Sequence, residues 1–391
     1  MIDDPRRWGA FLLTPDRNEI QEISFKNATF SIKHLGVGGW SLTTTREWIP
    51  YDVIEWGMGL LIEYDNESVF SGYLTGRKRE RGRSDIVTLT GKSDLGLVER
   101  RLASPDPSEP LDAPASSRDI RTGPAGNIIA EYVHYNAGQG AISERQTDIL
   151  YCPIPSGDVG SEITGRARYN NLVEFCKVLA ERAGDVGFNA LQPSDGDQIV
   201  FEVWEAQDLR EEIIFSEGLG NLHSFRYEIN EPETTYVVAG GRGEGQDRLI
   251  ISGEDDDASD EFGRIETFLD RRNAGDEDDE QSQVDEIEDS IEDEFKSALG
   301  RGTKESLEAK VINTKAARFI DDYRVGDIVS VEIDAHELIR VPQVVREAEI
   351  SLAPGGVKVD LLIGSISERK TLKAFQDLRL LSRDVSETGR H

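Results

Sequence analysis

The sequence predicts a multidomain α+β fold that is mainly β, and three observations carry that reading. The stretch from Asp321 to Gly364 alternates apolar and polar residues over three runs, Ile328 to Ile333, Val344 to Ile350 and Val357 to Ile363, with Pro354-Gly355-Gly356 as the last turn. It reads as a β-meander. The segment from Phe25 to Leu102 alternates in the same way. A shorter region, 127–210, repeats its apolar residues at helical spacing beside strand signals, and 391 residues exceed one small core.

Taken in order, TFSIKHL, WSLTTTREW and the run from Leu60 to Leu95 are strands, with hairpin turns at Asp65-Asn66 and Gly82. Residues 1–104 therefore form an N-terminal β-barrel-like domain. Gly36, Gly38 and Gly39 before Trp40 mark a bulge or crossing loop, because the phosphate-binding GxGxxG spacing and its helix are both missing. Arg100 and Arg101 close the block, either as partner contacts or as a solvated domain edge. Residues 105–126 are a Pro-rich linker.

The α/β module 127–212 opens with a helix, Asn127 to Asn136, for which Asn127 is the expected N-cap. A second helix runs from Leu172 to Ala183 with Gly184 as its C-cap, followed by strands at Gly187 to Leu191 and Gln198 to Trp204. The second β-rich half takes 213–252 with 303–366. Its glycines Gly240, Gly241, Gly243 and Gly245 follow a strand but lack the Gly-Lys-Ser/Thr of a phosphate loop, so a hairpin tip is expected. Residues 253–302 form an acidic, partly helical insertion. Val284, Ile287, Ile291 and Phe295 give one apolar stripe ended by Gly300, and the ten residues before it are expected to be mobile. Residues 367–391 read as a short helix with a frayed end.

The formal net charge is −31, from 75 acidic against 44 basic residues, which argues against a nucleic-acid grip built on clustered Lys and Arg. Only 12 of those basic residues are Lys. High Asp and Glu with little Lys suits concentrated salt, where a Debye length of about 3 Å at 1 M mutes self-repulsion. A halophilic source is one expectation; a GC-rich mesophile with one acidic insertion is the other. No run is long and apolar enough for a membrane anchor, and the start lacks a signal-peptide core, so a soluble protein is expected.

No residue pattern supports catalysis, a cofactor or a metal. Cys152 and Cys176 fit neither a zinc ribbon nor a CxxC pair; buried thiols, a disulfide and a metal site remain the readings. Asp185, Asp195 and Asp197 fall in turns, and GEDDDASDEFG places Asp260 where a calcium loop needs glycine. His134, Glu174 and Asp185 are poor candidates for hydrolysis, since no nucleophile or paired acid accompanies them at a working spacing.

Four stretches carry a family resemblance: Gly91 to Arg101 with the Pro-rich connector, Ile213 to Ile229, Val-Val-Ala-Gly-Gly with Arg248, and Gly263 to Ala274 with the closing meander opened by Tyr-Arg-Val-Gly-Asp. Over residues 20 to 365 the chain resembles the hub proteins of siphovirus tails. The resemblance implies a tail-hub fold with two β-barrel-like domains and two small α/β domains. It implies a homotrimer ring at the tail tip of the virion, capping the tail tube and opening for genome delivery. The implied partners are the distal tail protein, the tape-measure protein and receptor-binding or fibre proteins, while viral DNA passes without specific binding. Many relatives carry a peptidoglycan-cleaving extension, and a chain ending soon after the meander is expected to lack it, consistent with a host without peptidoglycan. The acidic insertion departs from the family pattern.

Candidate interface residues are Trp40, Trp48 and Trp56, which serve as interface anchors or as core, together with Arg100 and Arg101. Two other classes compete with the hub. A tail-tip hydrolase acting on the host envelope needs an acid or nucleophile constellation, and a carbohydrate-binding surface protein needs exposed aromatics and a secretion signal.

Overall fold

The computed structural model describes residues 7–364 except 19, 50–53, 83, 229–230, 273, 275–280, 282, 285, 289, 292–293, 295–305, 315 and 335–338. The expected tail helix at 367–391, Phe295, Gly300 and most of the stretch before the acidic helix lie outside the described residues. The chain divides into two compact units, Met1–His223 with Lys310–Glu332 and Gln343–Ile363, and Ser224–Ala309 with Ile333–Pro342 and Gly364–His391.

The first unit is built on one sheet. Nine of the sheet's thirteen strands follow one another as Ile20–Glu22, Trp8–Leu13, Gly59–Tyr64, Glu67–Arg81, Asp85–Ser93, Gly39–Thr45, Asn27–Lys33, Ile339–Ala353, Gly356–Gly364, and Ile328–Asp334 pairs with Ile339–Ala353 off this path. The closing meander therefore joins the early β-block: Glu347 to Leu352 pair antiparallel with Ala28 to Lys33. Local alternation gives each strand one face, but it does not say which strand lies alongside, so this pairing was not legible. Asp65 and Asn66 turn the Gly59–Tyr64 hairpin with φ of 53° and 66°, the left-handed pair that a two-residue loop requires.

Strand Gly39–Thr45 alternates buried and half-buried residues, which puts Trp40 and Leu42 on the inner face. Trp40 lies against two glycines of the neighbouring strands. A Cβ on Gly91 would stand 2.1 Å from the Tyr73 carbonyl and 2.3 Å from the Trp40 indole. Trp8, Phe30, Tyr64 and Phe70 add a ring cluster with centroid separations of 5.0 to 6.0 Å.

The same unit contains the α/β module. Helices Ala125–Asn136 and Leu172–Ala183 pack against a sheet of Leu150–Tyr151, Ile199–Glu205 and Val186–Leu191 through Ile129, Tyr132, Val133, Phe175, Cys176 and Leu179. Fully burying one such aliphatic side chain contributes roughly 1.5–3 kcal/mol. Asn171 caps the second helix by accepting from the Val173 and Glu174 amides at 3.1 and 3.2 Å, and Gly184 closes it at φ 76°. The first helix begins two residues before the expected cap, after Pro124. Asn127 instead accepts from the Val159 amide at 3.0 Å and donates to the Gly157 carbonyl at 2.9 Å, fastening a loop. The expected linker also contains a strand, Asp119–Pro124, paired with Glu162–Ala167.

The second unit has its own sheet, with Tyr236–Gly240 between Ile250–Glu254 and Glu266–Asp270. Described residues between 281 and 294 are helical, and Ile287 and Ile291 pack with Val237 and Ala239 of the central strand. The acidic stretch thus pairs an apolar stripe with a sheet face, as its spacing predicts.

Candidate assembly surface

Strand Glu67–Arg81 spans 15 residues, whereas its neighbour Gly59–Tyr64 spans 6 and pairs only with Glu67 to Tyr73. Just past that end, the pairing of Glu67–Arg81 with its other neighbour, Asp85–Ser93, shifts register between Leu74 and Gly76. Beyond it the strand continues as a hairpin with Asp85–Ser93, and its outer edge has no strand partner among the described residues. This basic arm stays in the sheet through Asp85–Ser93 and Gly39–Thr45, and it holds the chain's densest basic run: residues 77–84 contain five basic residues and one acid in a protein of net charge −31.

On the arm, Arg77 and Arg79 share a face with the buried Leu89 and Val87, while Lys78 and Glu80 point the other way. Arg79 forms a bidentate pair with Asp85 at 2.8 and 2.7 Å. Arg77 donates to the Ile54 carbonyl, and its guanidinium lies 5.5 Å from the Trp56 ring centroid. Trp56 is 62% exposed and Trp48 45%, both on the loop between Gly39–Thr45 and Gly59–Tyr64. Gly57 at φ 93° packs over Pro15 and fixes the loop beside Trp56. Arg46 is exposed next to Trp48. Basic side chains and two open indoles thus flank one another on neighbouring elements.

The other sequence candidates fall elsewhere. Trp40 is 5% exposed and belongs to the core, so it cannot anchor a partner; its phase with Leu42 on an alternating strand was the available signal. Arg100 stacks at 4.3 Å over Tyr73, whose phenol is pushed up by burial. Arg101 donates to the Arg145 carbonyl at 3.0 Å and to the Thr147 hydroxyl at 3.2 Å, so its guanidinium binds the α/β module from within the chain.

Sequence reasoning missed a buried ion pair. Arg17 reaches Asp94 at 2.7 and 3.2 Å and Gln192 at 3.3 Å, with both charged side chains fully buried. The Gln192 backbone N–H in turn donates to the Ser71 hydroxyl oxygen at 2.9 Å, so one polar cluster joins the early sheet to the α/β module. No local pattern announces such a cluster.

The hydrolytic candidates do not assemble. His134 is engaged at 2.9 Å with the Cys152 carbonyl, Glu174 is exposed on its helix, and no hydrogen bond or ion pair joins His134, Glu174 and Asp185 among the described residues. Both cysteines are free and buried; burial pushes the Cys152 thiol up to about 12 and raises that of Cys176 as well. Among the described residues no three His, Cys, Asp or Glu side chains are placed to hold a metal, and no helix is long and apolar enough to cross a membrane. GEDDDASDEFG forms the helix Asp256–Phe262, capped by Asp255 on the Ala258 amide at 3.2 Å. At the glycine-rich tip Arg248 donates to the Gly240 and Gly241 carbonyls, at 2.9 and 3.0 Å, so the loop offers acceptors to a cation of its own chain.

Comparison with known proteins gives a consistent picture. The family model described as Siphovirus ReqiPepy6 Gp37-like protein matches residues 11–365. The fold is similar to the 43 kDa tail protein of prophage MuSo2 from Shewanella oneidensis, at 11% identity and TM-score 0.53, covering 91% of this chain and 98% of that one. It is similar to a tail protein from Neisseria meningitidis MC58, at 12% identity and TM-score 0.51 over 93% and 99%. It is also similar to the prophage tail protein gp18 from Listeria monocytogenes EGD-e, at 8% identity and TM-score 0.50 over 95% and 99%. No curated protein matches the sequence.

Proposed function

The chain belongs to the Siphovirus ReqiPepy6 Gp37-like family and is a structural protein of the viral tail, and from that premise we propose that it is the hub of the tail tip. Three copies form a ring that caps the tail tube. The ring joins the distal tail protein to receptor-binding or fibre proteins, meets the tape-measure protein inside, and opens to let DNA through.

The observation that carries this reading is the open basic edge of Glu67–Arg81 with Trp48 and Trp56 beside it. Two indoles left open side by side with a basic edge, on the loop between Gly39–Thr45 and Gly59–Tyr64, are the anchors an assembly protein needs. The chemistry fits the same reading, since a wall around a DNA path gains from repelling phosphate, and the net charge is −31.

Light scattering on the purified protein, at low and high salt, tests the ring. The expected mass is three times the 43.5 kDa chain. Labelling the chain in purified particles should put it at the distal end of the tail. Signal along the whole tail, or a monomer that cleaves envelope glycan or peptide and loses that activity in Glu174→Ala, would replace the hub with another role.

A further inference from the structure

The basic arm and the acidic insertion are opposite extremes of one chain. Residues 77–84 gather five basic side chains around one acid, while the helix Asp256–Phe262 carries Asp256, Asp257, Asp260 and Glu261, all exposed. Asp257 and Asp260 or Glu261 lie one turn apart and share a helix face. Arg77 and Arg79 are engaged within the chain, but Lys78 and Arg81 on the arm and Asp257 and Asp260 on the helix are exposed. Lys78 and Glu80 meet at 2.9 Å with both side chains more than 60% exposed, a surface pair worth little and easily exchanged for another partner. Asp255, the residue that caps the helix, leaves the carboxylates beyond it pointing to solvent.

We propose that the basic arm, with Trp48 and Trp56 beside it, docks on the acidic helix Asp256–Phe262 of a second copy of this chain. The proposal rests on the hub reading and gives its ring a specific contact. Copies of net charge −31 repel one another, so a closed ring needs local contacts of opposite sign, and the arm is where the chain concentrates positive charge. An arm on one copy meeting a helix on the next is a head-to-tail contact, the kind that closes rings. The flanking indoles supply the apolar area that charge pairs alone do not, and the charges set register and partner choice.

A charge-swap experiment on the full-length chain tests it. Lys78→Glu with Arg81→Glu should weaken self-association by about tenfold or more, read by light scattering across a concentration series. Asp257→Lys with Asp260→Lys should do the same. Combining all four changes in one chain should restore association, while thermal unfolding stays unchanged throughout. The contact is overturned if either variant associates as the unaltered chain does, or if the combined protein stays dissociated. Binding of a mixed-sequence DNA duplex that is lost in the Lys78 and Arg81 variant, with self-association intact, would assign the arm to phosphate and overturn it as well. A variant that loses self-association yet still joins tail tips in particles leaves the hub standing; an unaltered chain that never self-associates sinks both.

Discussion

The guanidinium of Arg17 and the carboxylate of Asp94 form a fully buried pair, bidentate at 2.7 and 3.2 Å, between the turn after the first strand and the start of a short helix. Taking both charges out of water costs several kcal/mol per ion, and the pair with the Gln192 amide offsets that only while every partner is present. Breaking it from one side leaves an unpaired buried charge. Asp94→Asn should therefore destabilise the protein by about 3–5 kcal/mol, and Arg17→Met by a similar amount. Replacing both with Met and Leu should cost clearly less than the sum, because no lone charge remains. Denaturant unfolding of the four proteins measures this, and additive losses would contradict it.

Trp40 gives a second prediction. Its indole fills the space that Cβ atoms on Gly72 and Gly91 would take, and at Gly91 the backbone carbonyl of Tyr73 also stands 2.1 Å away. Backbone in a ladder between two strands cannot move aside as a side-chain tip can. Gly91→Ala should lower stability by roughly 1–3 kcal/mol through overpacking. Gly184→Ala meets no neighbouring atom, but its φ of 76° should cost about 1 kcal/mol. Thermal unfolding of both variants ranks the two mechanisms.

The cysteines give a third. Cys152 and Cys176 are fully buried, with thiols raised by loss of solvation, so almost no thiolate exists at neutral pH. An aromatic disulfide reagent should titrate no thiol in the native protein and two after unfolding. Fast labelling of one thiol without denaturant would mean that the helix Leu172–Ala183 or its neighbouring loop opens locally.

Much of the frame was legible because it rests on short-range chemistry. Asp65-Asn66 could only serve a tight hairpin, and Gly184 ended a helix whose apolar residues recur at 3.6, although its N-cap Asn171 was not singled out. The partnership of Ala28 to Lys33 with Glu347 to Leu352 was not legible, since any alternating strand offers the same edge groups. The surface was legible only in part. Trp48 and Trp56 were singled out by residue type, but the neighbouring basic arm was passed over as an ordinary strand, because its exposure depends on where the shorter strand Gly59–Tyr64 ends.

His34 supplies the last prediction. The ring sits where strand Asn27–Lys33 leaves the sheet; its Nδ1 faces Gly326, and its backbone amide donates to the Arg346 carbonyl at 2.8 Å. Burial, with the Arg346 charge adding to it, holds the imidazole down at about 4 against 6.5 in a free chain. Between those values the unfolded chain binds a proton that the folded chain refuses. The contribution to stability is thus fully present above pH 6.5 and declines as pH falls toward 4, by at most about 3 kcal/mol. Glu181 and the buried Asp327 are displaced upward by loss of solvation and act with the opposite sign, but they are common to the native protein and to a His34→Gln variant. The difference between those two proteins isolates the ring. Urea unfolding at pH 7, 5.5 and 4.5 should show the native protein losing stability relative to His34→Gln at each step down, and parallel losses would mean that His34 takes up its proton without cost to the fold.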